Sequence, residues 1–202
     1  MKKSLTSLLL LLVVIAHAQI EKGTIAPGGS ISLSYKANSK TEQKTFDFAV
    51  APHVGIFVAN NLEIGPTVGY AVNSIKQKSG TTDLTQSFFI GPHLKYYLKI
   101  GNKAYVHFFG AVFGNFGSFK QISDPPSNIV LSTRGAIWQL GTGLSIFLHP
   151  TIALSISPMY SGDFTQSYIK NKAGIIPGTQ SNAITHGFYL NVGFSIYLRK
   201  KQ

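Results

Sequence analysis

The chain has no cysteine, which excludes a disulfide framework, a thiolate metal site and a cysteine nucleophile. It also has little charge. Asp, Glu, Lys and Arg make up 12% of the 202 residues, about half the usual share of a soluble globular protein. Acids are the scarcest, 7 against 18 Lys and Arg, leaving a formal net charge of +11. Beyond Gln19 no apolar stretch lasts more than a few residues before Ser, Gly, Thr, Asn or His breaks it, so no helical membrane span is encoded there. What is plentiful is glycine and phenylalanine, 20 and 14 residues, within a composition that is 44% hydrophobic. Neither a disordered chain nor a coiled coil has that balance, and the length suits one domain.

The first residues differ from the rest. Met1-Lys2-Lys3 is cationic, Leu5 to Ile15 is almost unbroken apolar sequence, and Ala16-His17-Ala18 places small residues two apart. That is the order of a secretory signal peptide, and about a dozen apolar residues are too few for a membrane helix. Cleavage after residue 18 is expected, leaving residues 19–202 as a barrel domain with 16 basic and 7 acidic residues, a charge of +9. Export removes nucleic acid from the expected partners, and with no cysteine there is no lipoprotein anchor.

The mature chain alternates with a period of two. Apolar residues take every second place in Ser30-Ile31-Ser32-Leu33-Ser34-Tyr35-Lys36, and the pattern returns around Phe46–Val58, Leu62–Val72, Phe88–Leu98 and Val106–Phe116. Three more series follow at Trp138–Leu148, Ile152–Tyr160 and Phe188–Leu198, giving eight candidate strands. Short links at Ala59-Asn60-Asn61, Lys99–Lys103 and His149-Pro150-Thr151 alternate with longer ones at Asn38–Lys44, Ser74–Leu84, Gly117–Arg134 and Gly162–Thr185. A membrane protein without apolar helices must be a closed barrel, and short turns on one rim with long loops on the other are the outer-membrane layout. The fold class expected is therefore all-β, an eight-stranded antiparallel up-and-down transmembrane barrel, both termini on the short-turn, periplasmic side.

Alternation alone does not say which face meets lipid, because a soluble calycin-like barrel alternates too, with its apolar side chains inward. The second face decides. It reads Ser30, Ser32, Ser34, then Ala49, Ala51, Gly55, then Gly65, Thr67, Gly69, and later Gly141, Gly143, Ser145, with few charges. Small residues fit the inside of a narrow barrel, whereas a wetted exterior would carry many Lys and Glu. Eight aromatics of the apolar face, Tyr35, Phe46, Tyr70, Phe88, Phe116, Trp138, Tyr160 and Phe188, lie beside the long links and form an expected interfacial girdle. Pro52, Pro66, Pro92 and Pro158 fall inside strands, where each removes a ladder donor, so bulges or broken pairing are expected there.

Two stretches carry a family resemblance: Glu21-Lys22-Gly23-Thr24 followed by Gly28-Gly29-Ser30, and Pro52-His53-Val54-Gly55-Ile56-Phe57-Val58-Ala59-Asn60-Asn61-Leu62-Glu63-Ile64-Gly65. They resemble the small outer-membrane β-barrel proteins widespread in Bacteroidota, related in architecture to OmpA/OmpX barrels, with Ile56 where that family's hairpin usually has Tyr. The closing Asn191–Leu198 resembles the signal read by the barrel assembly machinery, although it ends in Leu198 rather than an aromatic and is followed by Arg199-Lys200-Lys201-Gln202. The resemblance implies outer-membrane lipids and that machinery as partners; a monomer is expected, and no OmpA-type peptidoglycan domain is expected after the last strand.

Chemistry is sparse. His53, His93 and His107 share the inward parity of their strands with Asp47, Glu63 and Lys95. Folding about the short links places Asp47 near Asn73, His53 near Thr67, and Lys95 opposite His107. These six are expected to form a hydrogen-bonded polar network filling the lumen, since buried polar groups must be paired. No catalytic residue, cofactor site or metal site is assigned: the histidines lack short-range ligand spacing, and no phosphate-cradling glycine loop precedes a helix. Two alternatives remain. A barrel enzyme acting on envelope lipids requires a Ser or Asp within reach of a lipid-accessible His; a soluble calycin-like carrier requires an apolar cavity. The basic residues Lys76, Lys78, Lys120, Lys170, Lys172 and Arg199 to Lys201 stand at the rims and tail, available to anionic headgroups or simply to water. The expected role is structural or loop-mediated binding, without an open pore.

Overall fold

The computed structural model describes residues 20–38, 42–122, 130–171, 174–175 and 181–199; the expected signal peptide, the loop residues Asp124 to Asn128, Lys172, Pro177 and the last three residues lie outside them. The strands are β1 (Ile25–Asn38), β2 (Gln43–Ala59), β3 (Leu62–Lys76), β4 (Thr82–Lys99), β5 (Ala104–Ile122), β6 (Val130–His149), β7 (Ile152–Asn171), β8 (Gly174–Ile175) and β9 (Ser181–Ile196). β8 is a two-residue piece against the end of β7. The other eight each pair antiparallel with their neighbours in chain order, and β1 pairs with β9 to close the ring. No helix among the described residues is long and apolar enough to cross a membrane. Crossing is left to the strands, whose backbone groups are paired between neighbours.

The barrel has its bulky aliphatic side outward. Leu33, Leu140, Val192 and Phe194 are each more than half exposed, whereas Phe57, Tyr97 and Tyr197 on the opposite parity are 2% exposed or less. Such a large apolar exterior has no place in water. Converging aliphatic side chains would have marked a calycin-like carrier, and the structure has the reverse arrangement. The apolar band from Trp138 to Leu148 on β6 counts 11 residues, the length a tilted strand needs to cross the hydrocarbon core.

The links on the far rim are shorter than the apolar pattern implies. β3 and β4 are joined by only Gln77–Thr81, and β6 and β7 are each 20 residues long. The strands continue past the apolar band as polar hairpins, for example Asn73↔Thr85 and Lys76↔Thr82. Alternation between apolar and polar ends where lipid ends, while backbone pairing does not.

The four prolines do interrupt pairing, on one side only and without a bulge. Pro52 keeps its rung to Gly29 on β1, and Pro158 keeps its rung to Leu190 on β9. Pro66 and Pro92 face each other across β3 and β4. On the other side of each proline the ladder skips rungs at constant offset: between Val50↔Tyr70 and His53↔Thr67, between His53↔Thr67 and Ile56↔Ile64, between Ile90↔Gly114 and His93↔Ala111, and between Gly141↔Met159 and Leu144↔Ile156. The missing N–H is the one that would have donated toward the skipped side. Register shifts occur instead beside two of the short turns, at Phe57/Ala59 and Phe147/His149. Glycine precedes two of these prolines for a steric reason. A Cβ on Gly65 would overlap the carbonyl oxygen of Val54, and one on Gly91 that of Val112, so the chain passes there only without a side chain.

Closure is uneven. β1 and β2 share fourteen rungs, whereas β1 and β9 share four, Gly28↔Ser195 to Ile31↔Val192, with a further bridge at Ile25↔Leu198. The N-terminal residues brace this end. Ile20 donates its N–H to the Asn61 side chain, and the Asn61 N–H donates back to the Ile20 carbonyl. Asn61 takes the left-handed backbone of the β2–β3 turn, φ 63°, a conformation asparagine tolerates well.

Candidate functional site

Inward parity places two kinds of residue in the lumen, and they sort into layers. Nearest the short turns, rings fill the cross-section: Phe57 and Tyr97 lie 5.6 Å apart by ring centroids, Tyr105 and Phe147 5.2 Å, and Phe147 and Tyr197 4.9 Å. Ile20 packs into the same cluster. A second apolar layer higher up contains Phe89 and Phe113, 5.2 Å apart, with Ala111 beside them. The inward face is therefore not made of small residues alone. Glycines and serines on some strands make room for rings projecting from others, as where Gly69 lies under the Phe89 ring.

Between the two layers lies the polar cluster. Glu63, fully buried, accepts hydrogen bonds from His93 Nε2 at 3.0 Å and from the Tyr97 hydroxyl at 2.7 Å. A carboxylate accepting from Nε2 leaves the other ring nitrogen of a neutral His93 as an acceptor, and the Thr67 hydroxyl donates to it at 2.8 Å. Lys95 Nζ stands 3.9 Å from Glu63 and donates to His53 Nε2 at 3.2 Å. His107 sits between the hydroxyls of Ser145 and Ser157, each 3.0 Å from a ring nitrogen. A cavity of about 110 Å³ above the cluster is lined by His53, Lys95, His107, Gln139, Ser155 and Asn191 among others. That volume holds a few water molecules.

Four of the six expected lumen residues, His53, Glu63, His93 and Lys95, form one connected network. His107 adjoins it through the Tyr97 ring, 5.6 Å away by centroids. Asp47 does not join them. It lies nearer the far rim, where it accepts from Ser34 at 2.6 Å and from the Asn73 amide. The expected pairs Asp47↔Asn73 and His53↔Thr67 are both in register. The expected Lys95–His107 pair is not: Lys95 lies opposite Phe109, and His107 opposite Tyr97. The turn is centred one residue later than Gly101, which moves each partner by two positions and leaves the parity unchanged. Tyr97, Thr67, Ser145 and Ser157 complete the network as the partners that its charged and imidazole groups require.

The eight outer aromatics all sit on outward parity. Tyr35, Phe46, Tyr70, Phe88, Phe116, Trp138 and Phe188 are exposed. Tyr160 is half-buried between Trp138 and Phe188, with centroids at 5.5 and 5.0 Å. Among the others, Tyr35 faces Phe46 in one cross-strand pair, and Phe88 faces Tyr70 on one side and Phe116 on the other. The outward histidine of this rim, His186, is hydrogen-bonded to the Tyr160 hydroxyl at 2.8 Å rather than to a Ser or a carboxylate. Among the described residues no group of His, Asp and Glu could hold a metal ion.

No family model and no curated protein matches the chain. Among solved structures it is similar to Neisserial surface protein A, with 16% identity and a TM-score of 0.52 over 87% of this chain and 97% of that one. A major outer membrane protein from Thermus thermophilus is similar at 13% identity and a TM-score of 0.51, over 87% of this chain and 99% of that one. At these identities the likeness is one of fold. The chain is an eight-stranded antiparallel barrel of the outer-membrane type.

Proposed function

We propose that this outer-membrane barrel is a non-catalytic envelope protein whose wall is structural and whose far rim is the binding surface, without an open pore. One observation carries the reading: the exterior is an apolar band, while the lumen is filled by two ring layers with a hydrogen-bonded cluster between them. A lumen packed in this way supports a scaffold rather than a conduit. Binding falls to the hairpins that extend past the band, because loops on a rigid wall are where recognition is usually built. The stretches Glu21–Thr24 and Pro52–Gly65 support a narrower kinship with the Bacteroidota barrels. Outer-membrane lipids and the assembly machinery are its proposed partners, and the monomer its proposed state.

Fractionation joined to gel mobility tests this. The protein is expected in the detergent-soluble envelope fraction, migrating faster unheated than boiled, and inserted into a planar bilayer it is expected to give no sustained conductance. Recovery from a detergent-free periplasmic extract, or steady ion channels from the folded form, would overturn the reading.

A further inference from the structure

The far rim carries a sorting of charge by face. On outward parity it bears Lys44, Lys76, Lys120 and Arg134, one each on β2, β3, β5 and β6, and all four are exposed. The strand acids of the same end, Asp47, Asp83 and Asp163, are all on inward parity, and none of them is fully exposed. Asp47 and Asp163 are held by Ser34, Asn73 and Thr165, and Asp83 accepts from Gln77 at 2.8 Å. Solubility alone would mix the signs on a wetted surface. Here four strand cations point toward lipid and the anions away from it, while Lys36 on β1 has inward parity.

The sorting is sharpest at one place. Lys44 and Lys76 are direct cross-strand partners on the outward face. Like charges set opposite each other in a sheet repel and destabilise the pair. Among the described residues no carboxylate lies within ion-pair distance of either; Glu42 is engaged by Lys78 at 2.7 Å. Around the two lysines is a concavity of about 390 Å³ bounded also by Asn38, Glu42, Gln43, Gln77 and Lys78. Three cations and one carboxylate line this space, and the carboxylate, Glu42, is paired with Lys78, which leaves Lys44 and Lys76 as its two unbalanced charges.

Height identifies the anion. Lys44 lies two residues beyond Phe46 toward the rim, Lys120 lies four beyond Phe116, and Arg134 is on the Phe116 rung itself. These cations therefore stand between the level of the outer aromatics and six residues above it, as Lys76 does beyond Tyr70 on β3, on the side where hydrocarbon gives way to headgroups. We infer that the Lys44–Lys76 concavity binds a phosphate group of a lipid in the surrounding outer leaflet, with Lys120 and Arg134 continuing the same contact around the wall. The inference rests on the proposed membrane setting and specifies the chemistry of its rim. Outward-pointing lysine suits such a contact, being a compact point charge that reaches a lipid phosphate while its stem stays on the apolar wall.

The test uses the full barrel in phosphatidylcholine nanodiscs, with lipid retention read by native mass spectrometry. Lipopolysaccharide carrying its lipid A phosphates is compared with the enzymatically dephosphorylated form. Wild type is expected to retain the phosphorylated lipid at least about tenfold better, and the K44Q/K76Q double variant to lose about thirtyfold of that affinity, the effect of two surface cations. A K99Q/K103Q variant at the opposite rim is expected to bind as wild type. Equal retention of both lipids, undiminished binding by K44Q/K76Q, or displacement of the lipid by millimolar inorganic phosphate alone would each overturn the assignment. Heat-modifiable mobility of every variant separates this failure from failure of the barrel itself. In lipid-free zwitterionic detergent K44Q/K76Q is expected to be no less stable than wild type, since it removes a repulsion.

Discussion

Arginine in place of Val192 is expected to destabilise the folded protein in phospholipid vesicles by about 2–4 kcal/mol, the cost of a guanidinium on the lipid face near the bilayer midplane. Val192 lies midway along the apolar band of β9, between Phe188 and Ile196, and is more than half exposed. In water, arginine at so open a position would be harmless or would aid solubility. The same substitution at Ile184, which is even more exposed at 76% but lies above Phe188, is expected to cost only about 0–1 kcal/mol because it reaches the headgroup region. Exposure alone orders the two sites one way, and depth in a membrane orders them the other. Urea titration of vesicle-folded protein separates them: Val192→Arg well below Ile184→Arg in stability supports the lipid-facing wall. Equal effects would mean that the apolar face is not in hydrocarbon.

Glu63→Ala is expected to cost about 3–5 kcal/mol, because it strips a buried cluster of its only acid and leaves Lys95 without a counter-charge. Two further groups lose an acceptor at once, the Tyr97 hydroxyl and His93 Nε2. Neutralising both members, Glu63→Ala with Lys95→Met, is expected to recover more than half of the loss, since no buried charge then remains unpaired. A double-mutant cycle measured by equilibrium unfolding reads this coupling directly. Additive losses would show that Lys95 reaches water on its own and that the cluster is not an energetic unit.

How far the chain reveals this arrangement differs from feature to feature. Face and strand number are legible because alternation records the lipid boundary residue by residue, as in Ser30–Tyr35 and Phe188–Leu198. The inward aromatics Phe57, Phe89, Tyr97 and Phe113 follow from the same parity, but they are diluted among glycines and serines and do not stand out as layers until the strands are wound into a ring. Register across Lys99–Lys103 depends on which residue centres the turn, and a displacement of one residue exchanges Lys95 for Tyr97 opposite His107. The polar extensions of β6 and β7 are hidden for a different reason: beyond the membrane neither face is apolar, so pairing leaves no trace in hydropathy. Asp47 shows the limit of parity, which gives direction but not height, so an inward acid can belong to another layer altogether. At the prolines the sequence announces lost donors, while only the ladders show that each loss falls on one neighbour.

The chain's single tryptophan offers the most direct test of a lipid-facing wall, because Trp138 is on outward parity and packs 5.5 Å from Tyr160 at the girdle. With the protein folded into vesicles, its fluorescence should be quenched by phospholipids brominated along the acyl chain, most strongly by those brominated near the headgroup, and only weakly by aqueous acrylamide. Emission untouched by brominated lipid but readily quenched by acrylamide would contradict that placement.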